Sequence, residues 1–242
     1  MYKTSDVVFA SECDSMSKLS IIGAINKIEN YICDFFYVNK VDGLTLKRTM
    51  GCAWMYTKNK VQFYKPIDWN TKFVAKCFVS KITSATIVVD TMFIQNKEIA
   101  IYSKTEICLI DLTTNKIKRI DKLNLIKKKM QGLSHYDFEF DRLDTIDKSF
   151  KVDELVVKST SIDYLNHANN VEYVRFILNT YSVEELLKSP IREFEIHYLG
   201  QAKENELLLV LKQRKENTDY LTITHDDKTY IKCKITKEKN NE

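Results

Sequence analysis

The chain repeats itself at long range: VVFASECD at residues 7–14 returns as VVKSTSID at 156–163, so that Asp14 and Asp163 stand 163 − 14 = 149 positions apart. A helical apolar pattern follows each copy, and strand-like text follows each helix. A repeat on this scale constrains the fold more than any bulk property, because one set of elements must be arranged once and then arranged again.

Residues 5–13 have the β-branched and aromatic content of a strand, which Asp14 and Ser15 break. Ile21, Ile25, Ile28, Ile32 and Phe35 then recur at helical intervals, with Ser17 or Ser20 as N-cap and an end near Asn39 and Gly43. Ile22, Ala24 and Phe36 widen the stripe, as in a helix buried on more than one side. From Gly51 to Ile120 the pattern is that of strands. AWMYTKNKVQFY reads as two strands joined around Lys58 to Lys60, and Pro66 and Asp68 interrupt. KFVAKCFVSKI, ATIVVDTMFIQ and EIAIYSKTEICLIDL follow as longer strands, the last two joined by an Asn96-Lys97 turn. The charged stretch 121–150 has no sustained period and reads as a connector crossing the surface.

The second copy has a helix carrying Val171, Val174, Ile177 or Leu178, and Tyr181, which stops before Pro190. REFEIHYLG, ELLLVLKQRK and DYLTITHDDKTYIKCKI make a second meander, and the polar tail TKEKNNE is expected to fray. The expected architecture is α+β: a first repeat over 1–120, a connector over 121–150 and a second repeat over 151–242. Each repeat has a long helix wrapped by an antiparallel sheet, and the copies pack side by side. Scarce Gly and Pro, five and two, agree with a strand-rich fold, and 44% hydrophobic residues suffice for a core.

A net charge of +4 argues against a broad nucleic-acid surface. The basic residues between Lys116 and Lys129 are either a solvated face or a dock for an acidic partner. Six cysteines without a C-x-x-C pair or a nearby His at ligand spacing read as reduced, mostly buried thiols, so neither metal nor cofactor is expected. No signal peptide or membrane span is legible in the sequence, which points to the cytoplasm.

The polar run Asp163-Tyr164-Leu165-Asn166-His167-Ala168-Asn169-Asn170-Val171-Glu172-Tyr173 enters the second helix. It resembles the motif Asp-x-Asn-x-His-Val-Asn-Asn-x-x-Tyr of the acyl-ACP (acyl carrier protein) thioesterases, and the duplicated layout resembles their double hotdog fold. Trp54, Pro66, Trp69 and the stretch from Ser103 through Thr114 to Arg119 resemble the family's first half. Leu165 replaces the motif's first Asn. Tyr198-Leu199-Gly200-Gln201-Ala202 stands where the family has Tyr-x-x-Glu-Cys, so neither thiol nor carboxylate is present there.

The resemblance implies hydrolysis of fatty acyl-ACP in fatty acid biosynthesis, with an acyl phosphopantetheine carrier as partner. Asp163 is the candidate base or nucleophile, His167 and Gln201 position groups, and Asn166, Asn169 and Asn170 bind substrate. Backbone amides at the helix start form the oxyanion site. Each of these residues also has a structural reading, as a cap or a turn former. The first copy has Lys18 and Ser20-Ile21 in place of His167 and Asn169-Asn170, and is expected to be silent and to line the acyl chain. Rival readings are an acyl-CoA hotdog thioesterase and a non-catalytic acyl-carrier binding protein. A homodimer is left open.

Overall fold

Ser20 leaves extended backbone and accepts a hydrogen bond from Gly23 N, and from there the apolar stripe winds into helix α1 (Ile21–Val38). In the computed structural model, which describes residues 1–136, 138–144, 146 and 150–238, the chain divides into two units, Met1–Glu139 and Phe140–Glu242.

The first unit holds β1 (Tyr2–Val7), α1, α2 (Gly43–Met50), β2 (Cys52–Phe63), β3 (Lys72–Ile82), β4 (Thr86–Gln95) and β5 (Glu98–Asp111). Its strands lie antiparallel in the order β1-β3-β4-β5-β2. Two sequence expectations change here. The opening strand is Tyr2–Val7 rather than 5–13, because the stretch after it tightens into a 3-10 turn at Ala10–Glu12. AWMYTKNKVQFY is one strand and not two: the pairing with β5 shifts between Tyr56 and Lys58, a bulge that carries the polar TKNK through without a turn. The sequence reading also places no helix at Gly43–Met50. Asp42 caps it by accepting from Thr45 N at 3.0 Å, and only Leu46 of its residues is buried, so its apolar signal is weak.

One face of this sheet carries Phe73, Ala75, Cys77, Thr91, Phe93 and Ser103 toward α1, where Tyr31 meets the Phe93 ring edge-on at 5.6 Å. The other face carries Phe78, Asp90, Met92 and Tyr102, and here the connector lies as a strap. Ile120, Ile126 and Met130 are buried anchors, and Gly132 N donates to Val79 O at 3.0 Å. A Cβ on Gly132 would stand 2.5 Å from the Phe78 ring, so this close approach needs glycine. Ser134 donates to Asp90 at 2.6 Å, Tyr136 stacks on Tyr64, and Phe138 lies under the Lys104 ammonium at 5.0 Å. The stretch expected as a connector belongs to the first unit as far as Glu139. Asp137, Thr145 and residues 147–149 lie outside the described residues.

The second unit holds β6 (Phe150–Val156), α3 (Asn170–Leu178), α4 (Val183–Lys188), β7 (Ile191–Tyr198), β8 (Leu207–Lys215), β9 (Thr218–His225) and β10 (Lys228–Lys237), with strand order β7-β10-β9-β8-β6. The offset of 149 holds: 3-10 turns start at Ala10 and Ser159, and the helices start at Ile21 and Asn170. The second helix departs from the expectation of a long one, with nine residues against eighteen. Thr180 Oγ1 bonds back to Ile177 O, and Ser182 and Glu185 form a reciprocal capping box that starts α4 as a separate helix. Tyr181 therefore sits between helices. Lys239–Glu242 of the tail lie outside the described residues. No helix among those described is long and apolar enough to cross a membrane.

Tyr181 closes this unit over a buried ion cluster. Asp219 accepts from Tyr181 Oη at 2.8 Å, Arg214 at 2.6 and 3.0 Å, and Lys237 at 2.8 Å, while Lys212 Nζ lies 3.4 Å from the centre of the Tyr181 ring. Burial alone would raise the Asp219 carboxyl, but the hydrogen bonds from Arg214, Lys237 and Tyr181 outweigh it and hold the carboxyl far below the ordinary range. Such a carboxylate contributes stability above its unfolded pKa, and that contribution is lost as the pH falls below it. Urea unfolding at pH 7 and at pH 3 should show a large acid loss for the wild type and a smaller one for Asp219→Asn. Equal losses would count against the cluster.

Candidate active site

The site is built on a loop that both units share. In the first, Asp14 Oδ1 accepts from Met16 N at 2.9 Å and Lys18 N at 3.0 Å, and Asp14 N donates to Lys18 O at 2.7 Å. In the second, Asp163 Oδ1 accepts from Leu165 N at 2.8 Å and His167 N at 3.4 Å, and Asp163 N donates to His167 O at 2.8 Å. Isolated bridges close both loops, Cys13 with Leu19 and Ile162 with Ala168. The fourth residue of each loop is left-handed, Ser17 at φ 57° and Asn166 at φ 62°. An Asp whose carboxylate holds the next turn, with a small polar residue in the left-handed position, is a local solution to reversing the chain before a helix. One oxygen of Asp163 is thus structural. Its Oδ2 has no hydrogen-bond partner among the described residues.

What differs between the copies is the rest of the loop. Lys18 is replaced by His167, a half-buried side chain whose Nδ1 is shut off from solvent and has no partner among the described residues. Ser20 caps α1 through Gly23 N, whereas Asn169 Oδ1 caps α3 through Val171 N at 2.9 Å. Glu172 N is taken by Asn169 O at 3.0 Å. Of the first-turn donors of α3, Asn170 N is left without an acceptor among the described residues.

The loop is tied to the chain after β7. Ala168 N donates to Ala202 O at 2.8 Å, and Ala202 N donates to Tyr173 Oη at 2.7 Å. Burial pushes the Tyr173 phenol up to about 12, so it stays protonated and acts as a clamp. Leu199 N and Gly200 N both donate to Tyr230 O, and a Cβ on Gly200 would fall 2.4 Å from the Tyr230 ring. The structure therefore brings Asp163, His167, Asn169 and Asn170 together on one loop and helix start. Gln201 lies exposed beside Ala202, which itself bonds to that loop. Asn166 is exposed at the left-handed position. Tyr173 was legible only as the last letter of the His-x-Asn-Asn-x-x-Tyr spacing; its bond to Ala202, 29 residues away, has no local signal.

Residues 145–239 match the family model of the acyl-ACP thioesterase C-terminal domain. Among solved structures, an acyl-ACP thioesterase from Bacteroides thetaiotaomicron is similar at a TM-score of 0.86 and 16% identity, over 98% of this chain and 97% of that one. The 12:0-ACP thioesterase from Umbellularia californica is similar at 0.87 and 14% identity, over 98% and 96%. These likenesses establish the α+β hotdog fold over the length of the chain. Among curated protein sequences no match reaches significance.

The left-handed backbone at Asn166 makes a direct prediction. Asn166→Val, with a β-branched side chain where φ is 62°, should cost about 1–3 kcal/mol of stability by urea unfolding, and Asn166→Gly should cost little. Equal effects of the two would mean that the loop does not require that conformation.

Proposed function

We propose that this chain, whose residues 145–239 match the acyl-ACP thioesterase C-terminal domain, hydrolyses fatty acyl-ACP to the free fatty acid and the carrier protein. The observation that carries this reading is the internal comparison of the two loops. Both copies spend one carboxylate oxygen on the turn, but only the second adds an imidazole with an unpartnered Nδ1 and an Asn-capped helix start.

A thioester needs little help from a general acid, since its leaving thiol has a pKa of about 8.5. The chemistry needs an attacking oxygen and a donor for the developing oxyanion. Asp163 Oδ2 either takes a proton from water as that water attacks the carbonyl carbon, or attacks it directly to give an anhydride that water then opens. In the first route the proton held on Asp163 passes to the thiolate as the C–S bond breaks. His167 orients the carboxylate or the water. Asn170 N faces the carbonyl oxygen, and a donor of this kind is worth about 3 kcal/mol in the transition state. Gln201 positions water or the carbonyl, as an amide can hydrogen-bond both but remove a proton from neither. Asn166, the Asn169 amide nitrogen and the Asn170 side chain are the polar groups for the phosphopantetheine arm. The first repeat lines the acyl chain.

An acidic carrier has a place to dock. Lys118 already pairs with Asp111, and Arg119 pairs with Asp121, but Lys127, Lys128 and Lys129 stand exposed in sequence around a 3-10 turn. Reversal of these three to Glu should raise KM for acyl-ACP and leave kcat, and added salt should raise the wild-type KM. A KM unmoved by both would remove this patch from docking.

Asp163→Asn tests the chemistry cleanly, because an Asn oxygen can still accept from Leu165 N and His167 N while the carboxylate is gone. Its kcat on a panel of acyl-ACPs should fall by about 10²–10⁴-fold, and Asp14→Asn should leave kcat unchanged. Undiminished turnover by Asp163→Asn would refute the assignment. The same acyl chains on CoA separate the carriers, and binding without turnover by the wild type would favour a non-catalytic carrier-binding protein.

A further inference from the structure

The face of the first unit's sheet that is turned toward α1 is not uniformly apolar. A polar line crosses it: Cys77 Sγ and Thr91 Oγ1 meet at 3.3 Å, Ser103 Oγ donates to Asn59 Oδ1 at 2.8 Å, and Thr105 Oγ1 approaches the same oxygen at 3.4 Å. Asn59 pairs with Thr105 across β2 and β5, and Ser103 pairs with Thr91 across β5 and β4, so these side chains share one face. Asn59, Ser103 and Thr105 are 0% exposed and Thr91 is 1% exposed. The line ends at Asn59 Nδ2, which is buried and has no partner among the described residues. Buried amide groups without a partner are few in native proteins, because losing water without gaining a hydrogen bond is unfavourable. The buried face of α1 carries Ile25, Ile28, Ile32 and Phe35, and its two buried polar side chains, Lys27 and Tyr31, bond to Asp6 rather than to this amide.

We infer that the first unit takes an acyl chain bearing a hydroxyl group, and that Asn59 is the residue that selects it. This rests on the reading above, in which the first repeat lines the acyl chain. The class of substituent follows from the amide itself. A half-turn of the carboxamide exchanges its oxygen and nitrogen, and Ser103 and Thr105 can then accept where they now donate. Either way, one end of Asn59 is left facing no partner, a donor in one orientation and an acceptor in the other. A hydroxyl both donates and accepts, so it satisfies both orientations; a keto oxygen satisfies one, and an unsubstituted methylene satisfies neither. An unsubstituted chain in this place leaves the amide unpaired, and the site discriminates against it.

The test uses the full chain with acyl-ACPs of one length, either unsubstituted or carrying a single hydroxyl at successive positions. At one or more positions the hydroxyl should raise kcat/KM over the unsubstituted chain by about tenfold, as one or two net hydrogen bonds give. Asn59→Leu should abolish that preference, and Ser103→Ala, which loosens the anchor of the amide, should weaken it. Equal kcat/KM at every position overturns the inference, as does a preference that survives in Asn59→Leu; in either case the amide is met by a buried water alone. Equilibrium binding of free hydroxy and unsubstituted fatty acids to the wild type and to Asn59→Leu gives a readout independent of turnover. If no acyl-ACP is hydrolysed, the proposed reaction falls, and this binding difference still decides whether Asn59 reads a hydroxyl.

Discussion

A single carboxylate oxygen accepting two backbone N–H groups, from residues two and four positions on, holds the turn that leads into each of α1 and α3. Everything the site contains hangs from that turn. It brings the chain out of a 3-10 turn, forces a left-handed residue in the fourth place, and delivers the next residues to a helix start. The interaction is local, so it can be copied whole, and the offset of 149 that runs through turns and helix starts shows that it was. Because Asp14 and Asp163 do the same structural work, the presence of the Asp is no evidence of catalysis. The evidence lies in what the second copy adds to the same frame.

In the proposed reaction, stability and chemistry occupy different atoms of one residue. Asp163 Oδ1 belongs to the fold, and Oδ2 is the atom proposed to react. The same division recurs at Asn169, whose side-chain oxygen caps Val171 N while its amide nitrogen has no partner among the described residues. A catalytic group held by its own backbone loop needs no large rearrangement to be positioned, and such pre-set geometry is where much of an enzyme's rate advantage arises. The clamp from Tyr173 to Ala202 extends that rigidity to the segment carrying Gln201.

The expectation of a second long helix failed at Asn179 and Thr180, where Thr180 bonds back to Ile177 and a capping box begins a new helix at once; the apolar spacing through Tyr181 continued across the break and concealed it. The bulge at Thr57 was equally hidden, since TKNK has a turn's composition and only the pairing with β5 shows that the strand runs on. The strap that covers Phe78, Met92 and Tyr102 carried no period at all. Its order comes from side chains that reach residues far off in sequence, as Ser134 reaches Asp90 and Tyr136 reaches Tyr64.

The repeat, the two helix starts, most strands of both meanders and the cluster Asp163 to Tyr173 were all readable from residues alone, because each depends on interactions within a few positions or on a periodicity of two or 3.6 residues. The tertiary structure decided which atoms of those residues remain available. That Asp163 spends one oxygen on its loop, and that among the described residues His167 Nδ1 and Asn59 Nδ2 are buried without a partner, are facts of burial and long-range pairing. No spacing along the chain encodes them, since a hydrogen bond is settled by which groups the fold brings within about 3 Å and which it shields from water.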